Sequence, residues 1–381
     1  MRLTVNATCL TTGAATGIER FALHMCKELY RLDGTVDIVS SLPVSGLPFS
    51  GAPSILTSAR QWLGKKEYYV RALWDQTVFR SLIAQHKSDV VFFPIPDGML
   101  FPPVRQIITV HDLHYLHFDE QLLECKSEIQ SHRRFFYRHK MPHLLRESAA
   151  VVAVSETTKN ELEATFEIDP EKIHVIHNGY DDSRFRVLND PQSVLTQYGL
   201  QSGTYLLFVG SILKHKNIVR LLKAFAKISA GVKLAIVGVC KDSDYHKDIA
   251  MTIEELRMPP GIITYLNYVH DSDLPSLYNG AIALLLPSLH EGFGVPIIEA
   301  MACGTPVITS NCSAMPEVAG GAALLVDPYS VESIAATVQE LVERPQLADT
   351  LRKKGLERAK EFRWTCSAQK LYDICKSVAS A

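Results

Sequence analysis

The sequence has no surplus of either charge. Its 381 residues hold 39 Lys and Arg against 41 Asp and Glu, a formal net charge of −2. A dedicated nucleic-acid binder normally shows a basic excess, so no nucleic-acid partner is expected. Long apolar runs are missing as well. The longest stretch without Asp, Glu, Lys or Arg runs from Ile38 to Ala59. Its Ser40, Ser41, Pro43, Gly46, Pro48, Gly51 and Pro53 make it a loop and not a membrane span. The first ten residues contain no apolar core of signal-peptide type, so no secretory signal is expected. The eight cysteines (Cys9, Cys26, Cys125, Cys240, Cys303, Cys312, Cys366, Cys375) form no C-x-x-C pair. Scattered in this way they suggest reduced thiols of a cytoplasmic protein, packing as small apolar residues, and no metal site is readable from them. No internal repeat or low-complexity tract stands out.

What is present is an ordinary folded composition, 47% hydrophobic and 21% charged, which excludes a largely disordered chain. At roughly 150 residues per domain the length argues for two domains, at most three. Short apolar runs alternate with longer amphipathic stretches, the pattern of a parallel sheet covered by helices. Strands are predicted at Leu3–Ala7, Val36–Ser40, Val90–Phe93, Ile107–Val110, Ala150–Val154 and Ile173–Ile176. The pattern restarts at Tyr205–Val209 and continues through Lys233–Val237, Ile262–Leu266, Ala281–Leu286 and Pro306–Thr309. Ile18–Leu29 reads as a helix. Asn217–Ile228 reads as another, opening on Asn and placing Leu221, Leu222, Phe225 and Ile228 on one face. The polar segment Tyr180–Gly203, with Pro191 and no sustained period, separates two α/β halves. Such halves imply a cleft, and ligands of open α/β sheets bind beyond the carboxyl ends of the strands.

The most informative segment is Pro287–Pro306, which follows the strand Ala281–Leu286. Gly292 and Gly294 allow a tight loop whose backbone N–H groups approach a ligand closely. Pro296 suits the first helical position and Gly304 the helix's end. The N-terminus of that short helix favours a phosphate. Glu291 and Glu299 flank the loop; on one continuous helix they would lie about 80° apart. The glycines and proline instead place Glu291 on the loop and Glu299 in the helix's first turn. A carboxylate there can accept paired hydrogen bonds from a ribose diol while the helix end holds the adjoining diphosphate. Spacing alone equally allows Glu299 to be a favourable first-turn acid and Glu291 a solvated loop charge.

Glu291 to Glu299, with Gly-Phe-Gly-Val-Pro-Ile-Ile between them and Ala-Met-Ala-Cys-Gly-Thr-Pro after them, resembles the E-x7-E signature of retaining nucleotide-sugar glycosyltransferases, specifically glycosyltransferase family 4. Other landmarks stand in the family's order: Gly17-Ile-Glu-Arg20, His111-Asp-Leu-His114 and Val154-Ser-Glu-Thr-Thr-Lys159. Then come His177-Asn-Gly-Tyr-Asp181, Gly210-Ser-Ile-Leu-Lys-His-Lys-Asn217 and Met315-Pro-Glu-Val-Ala-Gly320. The resemblance runs from residue 13 to about residue 328. It implies the α/β GT-B fold, two Rossmann-like domains with parallel sheets facing a central cleft. The expected divisions are an acceptor-side domain at 1–180, a linker at 181–203, a nucleotide-sugar domain at 204–360, and a C-terminal helix at 361–381 that packs back on the first domain.

The resemblance also implies roles. Lys216 would set an ammonium beside the donor's diphosphate, where charge develops as the sugar–phosphate bond breaks. The family often has Arg where this chain has His215, a weaker phosphate clamp when neutral, for which Lys214 could substitute. His111 would contact the transferred sugar, Glu291 its hydroxyls, and Glu299 the ribose. Lys216, Glu291 and His111 are thus the expected catalytic residues. Gly17, Gly210, His215, Gly292, Phe293, Gly294 and Val295 complete the expected donor-binding set, Gly17 closing the Gly13–Gly17 turn. GT-B enzymes generally hold the diphosphate without an essential metal, so neither metal nor cofactor is expected. Asp242-Ser-Asp244 and Asp271-Ser-Asp273 could be read as D-x-D metal motifs. The second pair precedes the helix start Leu274–Tyr278, where Asp is expected as a cap.

The likeness is nearest to bacterial O-antigen mannosyltransferases, chiefly at His111–His114 and Lys214–Asn217. GDP-mannose is therefore the expected donor, and a glycan or an undecaprenyl-diphosphate-linked sugar the expected acceptor. Between Lys126 and Arg146 stand Lys126, Arg133, Arg134, Arg138, Lys140 and Arg146 against the single acid Glu128, with Phe135, Phe136 and Tyr137 interleaved. Such a stretch suits an anionic membrane surface or diphosphate lipid, with Arg133, Arg134 and Arg138 as the contact. It equally suits core-facing aromatics beside solvated charges. The membrane reading places the protein peripherally at the cytoplasmic face of the inner membrane. Other readings are a UDP-sugar-dependent glucosyl, galactosyl or N-acetylhexosaminyl transferase, or an inactive nucleotide-sugar-binding module. The joint presence of Lys216, Glu291 and Glu299 argues against the module. An oxidoreductase or epimerase would need a G-x-G-x-x-G after the first strand, which is missing.

Overall fold

The computed structural model describes the chain except residues 11–16, 42, 45, 48–49, 52–66, 118–134, 229–230 and 241. The described residues form two compact units. The first takes those of Met1–His117 and 135–179 together with Trp364–Ala381, and the second takes Tyr180–Arg363.

The first unit is built on β1 (Leu3–Asn6), β2 (Asp37–Ser40), β3 (Ser50–Gly51), β4 (Val90–Phe93), β5 (Arg105–Val110), β6 (Ala150–Ala153) and β7 (Ile173–Val175). These seven strands pair in parallel in the order β3-β2-β1-β4-β5-β6-β7. Every residue of β1, β4 and β6 is buried, because helices cover both faces of a parallel sheet and no solvated face remains to alternate with. Val91, Phe93, Ile108, Val110 and Val151 pack against Phe79, Ile83, Met141, Leu144 and Leu162 from the covering helices.

The helix Trp364–Ser380 also belongs to this unit. Its buried Trp364, Ser367, Ala368, Leu371 and Cys375 recur at helical spacing and so form one stripe. That stripe packs against the helix Gly17–Leu32. The Trp364 ring stacks on His24 at 5.0 Å between centroids, and Tyr372 donates a 2.7 Å hydrogen bond to Asp33. A Cβ at Gly179 would lie 2.6 Å from the Trp364 backbone nitrogen, so only glycine admits this approach.

The second unit holds β8 (Tyr205–Val209), β9 (Lys233–Val237), β10 (Ile263–Leu266), β11 (Ala283–Leu286), β12 (Val307–Ser310) and β13 (Leu324–Val326). Their order is β10-β9-β8-β11-β12-β13, again all parallel. This is the doubly wound Rossmann order, and the first unit contains the same order with one strand added. In such sheets the strand order reverses at a switch point where ligands bind. In the second unit that point lies between β8 and β11. Residues 181–203 pack on this unit: Leu188 N–H donates to Asn279 at 2.8 Å, Gly203 N–H donates to the Gly280 carbonyl at 2.8 Å, and Arg184 pairs with Asp271.

The structure corrects several local expectations. The helix predicted at 217–228 spans Ile218–Phe225, with Asn217 in the left-handed region (φ 66°) and making no side-chain cap. The donor-loop helix is Val295–Ala302, so Pro296 is its second residue and Glu299 falls in its second turn. Asp273 precedes the helix Leu274–Gly280 without capping it, and its carboxylate accepts from Tyr198 Oη at 2.8 Å instead. The strands β3 and β13, two and three residues long, are additional to those predicted; β3 is a Ser-Gly pair with no apolar side chain.

Candidate functional site

Two loops leave the switch point of the second unit. One runs from Gly210, after β8, to Asn217; the other runs from Pro287, after β11, to Gly294. Backbone and side-chain bonds draw them together. Leu289 N–H donates to the His215 carbonyl at 2.7 Å. Asn217 Nδ2 donates to the carbonyls of Pro287 at 2.9 Å and Pro328 at 2.7 Å. Asn217 closes the 3-10 turn Lys214–Lys216 in the left-handed region, and its amide ties three segments together.

The consequence is an ion pair. Lys216 Nζ lies 2.5 Å from Glu291 Oε1, and Ser288 Oγ donates to the same oxygen at 2.7 Å. Both charged side chains are nearly buried, at 14% and 11% exposure. Burial is the largest influence on the Glu291 carboxyl and acts to raise its pKa. The charges of Lys216 and His215 and the hydrogen bonds from Lys216 and Ser288 outweigh it, holding the group below its ordinary value. Glu291 is therefore not a solvated loop charge.

Gly294, with φ 97°, caps the helix Val295–Ala302. Its positive φ turns the loop so that the helix N-terminus, with its partial positive charge, stands immediately after Glu291–Phe293. Glu299 is buried, lies in the second turn and not the first, and accepts a 3.0 Å hydrogen bond from Tyr278 Oη. Phe293 is also buried and packs edge-on to Phe362 at 5.6 Å. Its ring anchors the loop, so a contact with a donor would come from its backbone. Gly210, His215, Lys216, Glu291, Gly292, Phe293, Gly294, Val295 and Glu299 all lie in or beside these two loops.

Of the expected site residues, His111 and Gly17 lie in the first unit. His111 directly follows β5, is buried, and meets the Phe21 ring at 5.0 Å. Its Nε2 is 2.9 Å from the Pro94 carbonyl, which can only accept, so Nε2 carries the proton and Nδ1 is left as an acceptor. Burial lowers its pKa more than the Pro94 bond and Asp112 raise it, so the imidazole is neutral near pH 7. Gly17 is exposed and opens its helix, and among the described residues outside that helix's own backbone none comes within 4 Å of a would-be Cβ. The rest of the Gly13–Gly17 turn, and Arg133 and Arg134, lie outside the described residues. Arg138 is exposed on a π-helical turn, Phe136–Lys140, beside exposed Phe135, while Phe136 and Tyr137 face the core.

The D-x-D pairs have other duties. Asp242 caps the helix Ser243–Glu255 by accepting from two backbone N–H groups, and Asp271 pairs with Arg184. Among the described residues no cluster of His, Cys, Asp or Glu is arranged to hold a metal ion.

Four residues of the site carry no sequence signal of the kind read above, or a faint one. Ser288 and Ser313 hold Glu291 by hydrogen bonds. Tyr245 Oη accepts from Ile218 N–H at 2.9 Å and so closes the N-terminus of the helix after Lys216. Gly238 follows β9 as Gly210 follows β8, and this parallel is the faint signal. A Cβ on Gly238 would lie 1.9 Å from the Gly210 carbonyl oxygen.

Comparison with known proteins places these features. Residues 197–358 match the model described as glycosyl transferases group 1, and residues 15–184 match that of glycosyltransferase family 4. O-antigen chain mannosyltransferase B of Escherichia coli is 31% identical over 271 residues, covering 70% of this chain and 68% of that protein. O-antigen chain mannosyltransferase RfbU of Salmonella typhimurium is 30% identical over 63% of this chain and 62% of its own length. The chain thus spans about two thirds of the length of these relatives. Among solved structures, Anabaena HepE in complex with UDP and glucose superposes with a TM-score of 0.76 at 18% identity, covering 99% of this chain and 100% of that one.

Proposed function

Because this chain belongs to glycosyltransferase family 4 and has the GT-B fold, we propose that it transfers a hexose, with retention, from a nucleotide-diphosphate sugar to a glycan hydroxyl. The donor in this reading is GDP-mannose and the acceptor a lipid-linked or oligosaccharide glycan of bacterial O-antigen synthesis. The names of the two mannosyltransferases support that choice of sugar and setting. The observation that carries the reading is the Lys216–Glu291 pair, 2.5 Å apart beside a helix N-terminus at the switch point of a Rossmann sheet. A cation and a helix end suit a diphosphate, and a carboxylate beside them suits sugar hydroxyls.

In this reading the bond from the anomeric carbon to the phosphate oxygen breaks while the acceptor oxygen bonds to the same face. The acceptor's proton passes to the departing phosphate. Lys216 and the helix N-terminus stabilise the charge that grows there, Glu291 holds sugar hydroxyls, and Glu299 the ribose. His111, neutral, offers Nδ1 to the sugar. With a lysine and a helix end as the positive partners, no divalent metal is required.

A panel of GDP-mannose, UDP-glucose, UDP-galactose and UDP-N-acetylglucosamine, assayed for nucleotide release with and without EDTA, tests the reading. GDP-mannose should be turned over fastest, at a rate EDTA does not change. Preference for a UDP-sugar would overturn the donor, and no turnover of any would overturn the activity. Replacing Glu299 by Ala should weaken GDP binding about 10–100-fold, the value of a charged hydrogen bond, with little change in turnover. Calorimetric titration checks it, and unchanged affinity would remove the ribose role.

Among the described residues no helix is long and apolar enough to cross a membrane. We propose peripheral attachment through the basic Lys126–Arg146 stretch, at the cytoplasmic face of the inner membrane. Charge reversal at Arg133, Arg134 and Arg138 should abolish sedimentation with vesicles of anionic lipid. Binding that survives the reversal would rule the stretch out.

A further inference from the structure

We propose that Ser313 is a positioning residue for Glu291, setting its carboxylate against the donor sugar. The inference rests on the reading of Glu291 as the group that holds sugar hydroxyls. One serine hydroxyl grips both backbone polar groups of Glu291. Ser313 Oγ donates to the Glu291 carbonyl at 2.7 Å and accepts from its N–H at 3.2 Å, across 22 positions of chain.

The backbone of Ser313 shows that this grip matters. Its φ is 56°, in the left-handed region that any residue but glycine enters at a free-energy cost. Among the described residues Lys87, Asn217 and Arg257 share this feature. Lys87 closes the helix Val78–His86, Asn217 closes the 3-10 turn Lys214–Lys216, and Arg257 stands two residues beyond the helix Ser243–Glu255, all at helix ends where left-handed residues are common. Ser313 follows no helix, and it holds the loop that bears Glu291. Glycine would fit position 313 without strain, yet it could not supply the hydroxyl.

The clamp has a function once a donor is bound. Lys216 is then drawn to the diphosphate and shares its charge with it, so the strongest partner of Glu291 weakens. Ser288, on the carboxylate, and Ser313, on the backbone, keep Glu291 in place. Ser288 is itself fixed, because its carbonyl accepts from Ser310 Oγ at 2.6 Å.

Ser313→Gly tests this in the full chain, since glycine accepts the local backbone and lacks only the hydroxyl. The readouts are melting temperature, affinity for GDP and UDP, and kcat/KM for whichever nucleotide sugar of the panel is turned over fastest. The expected result is an unchanged or raised melting temperature, nucleotide affinity within about twofold of wild type, and kcat/KM lowered about tenfold or more. A merely structural role would lower stability and nucleotide affinity together, and that outcome overturns the proposal. Wild-type kcat/KM in Ser313→Gly also overturns it. Glu291→Gln separates this from the site reading. If Glu291→Gln is inactive and Ser313→Gly is normal, only the clamp fails. If Glu291→Gln turns over normally, the site reading fails and the inference falls with it.

Discussion

Lys216→Ala should lower turnover by about 10²–10³-fold, the loss seen when one preorganised stabiliser of developing charge is removed. Nucleotide affinity should fall much less, because in the proposed reading the helix N-terminus and Glu299 remain to hold the diphosphate and ribose. The substitution also leaves Glu291 nearly buried without its counter-ion, and removal of one partner from such a pair destabilises. Stability should then respond differently to acid. In the wild type the Glu291 carboxyl is held below its ordinary value of about 4.5. A lowered folded-state pKa contributes stability that is present above the unfolded value and lost as pH falls through the folded one. The wild type should therefore lose this contribution progressively as pH falls below about 4.5, whereas Lys216→Ala, which lacks it, should show no such loss. Stopped-flow turnover and acid titration by circular dichroism read the two effects. Turnover at the wild-type rate would remove Lys216 from the chemistry.

Gly238→Ala should be the most damaging substitution to the second unit. The new Cβ would sit 1.9 Å from the carbonyl oxygen of Gly210, a backbone atom that no side-chain rotation can move aside. The φ of 153° at Gly238 adds strain for any residue with a Cβ. The ends of β8 and β9 would have to separate, breaking the bonds from Gly210 N–H to Val237 and from Ile212 N–H to Val239. A loss of about 3 kcal/mol or more is expected, at the upper end for single substitutions. Urea unfolding gives the value, and a midpoint equal to wild type would show that the two loops can part without harm.

The two substitutions also show what the amino-acid order makes legible. The strands that bear the site are readable because a parallel sheet buried on both faces demands continuous apolar runs, as in Tyr205–Val209 and Ala283–Leu286. Glu291, Gly294 and Lys216 are readable because the resemblance quotes them together. What escapes is whatever depends on partners far apart in sequence. Asn217 looks like a helix cap, yet its side chain donates to the carbonyls of Pro287 and Pro328, 70 and 111 positions away. The packing of the Phe293 ring on Phe362, 69 positions away, is likewise invisible in the sequence. Glu299 falls one position later than the proline suggests, in the second turn, because the helix begins at Val295 and not at Pro296. Ser313 carries no motif at all; its importance lies in a hydroxyl that meets Glu291 only after β12 and the following loop are in place.

In the proposed reading the loops Gly210–Lys216 and Pro287–Val295 of this family 4 glycosyltransferase form the donor site. Amide hydrogen exchange with and without saturating GDP measures it directly. Slowed exchange should appear in those two segments of the second unit, and Lys216→Ala should weaken it there. Protection confined to other segments, with these two unchanged, would contradict the account.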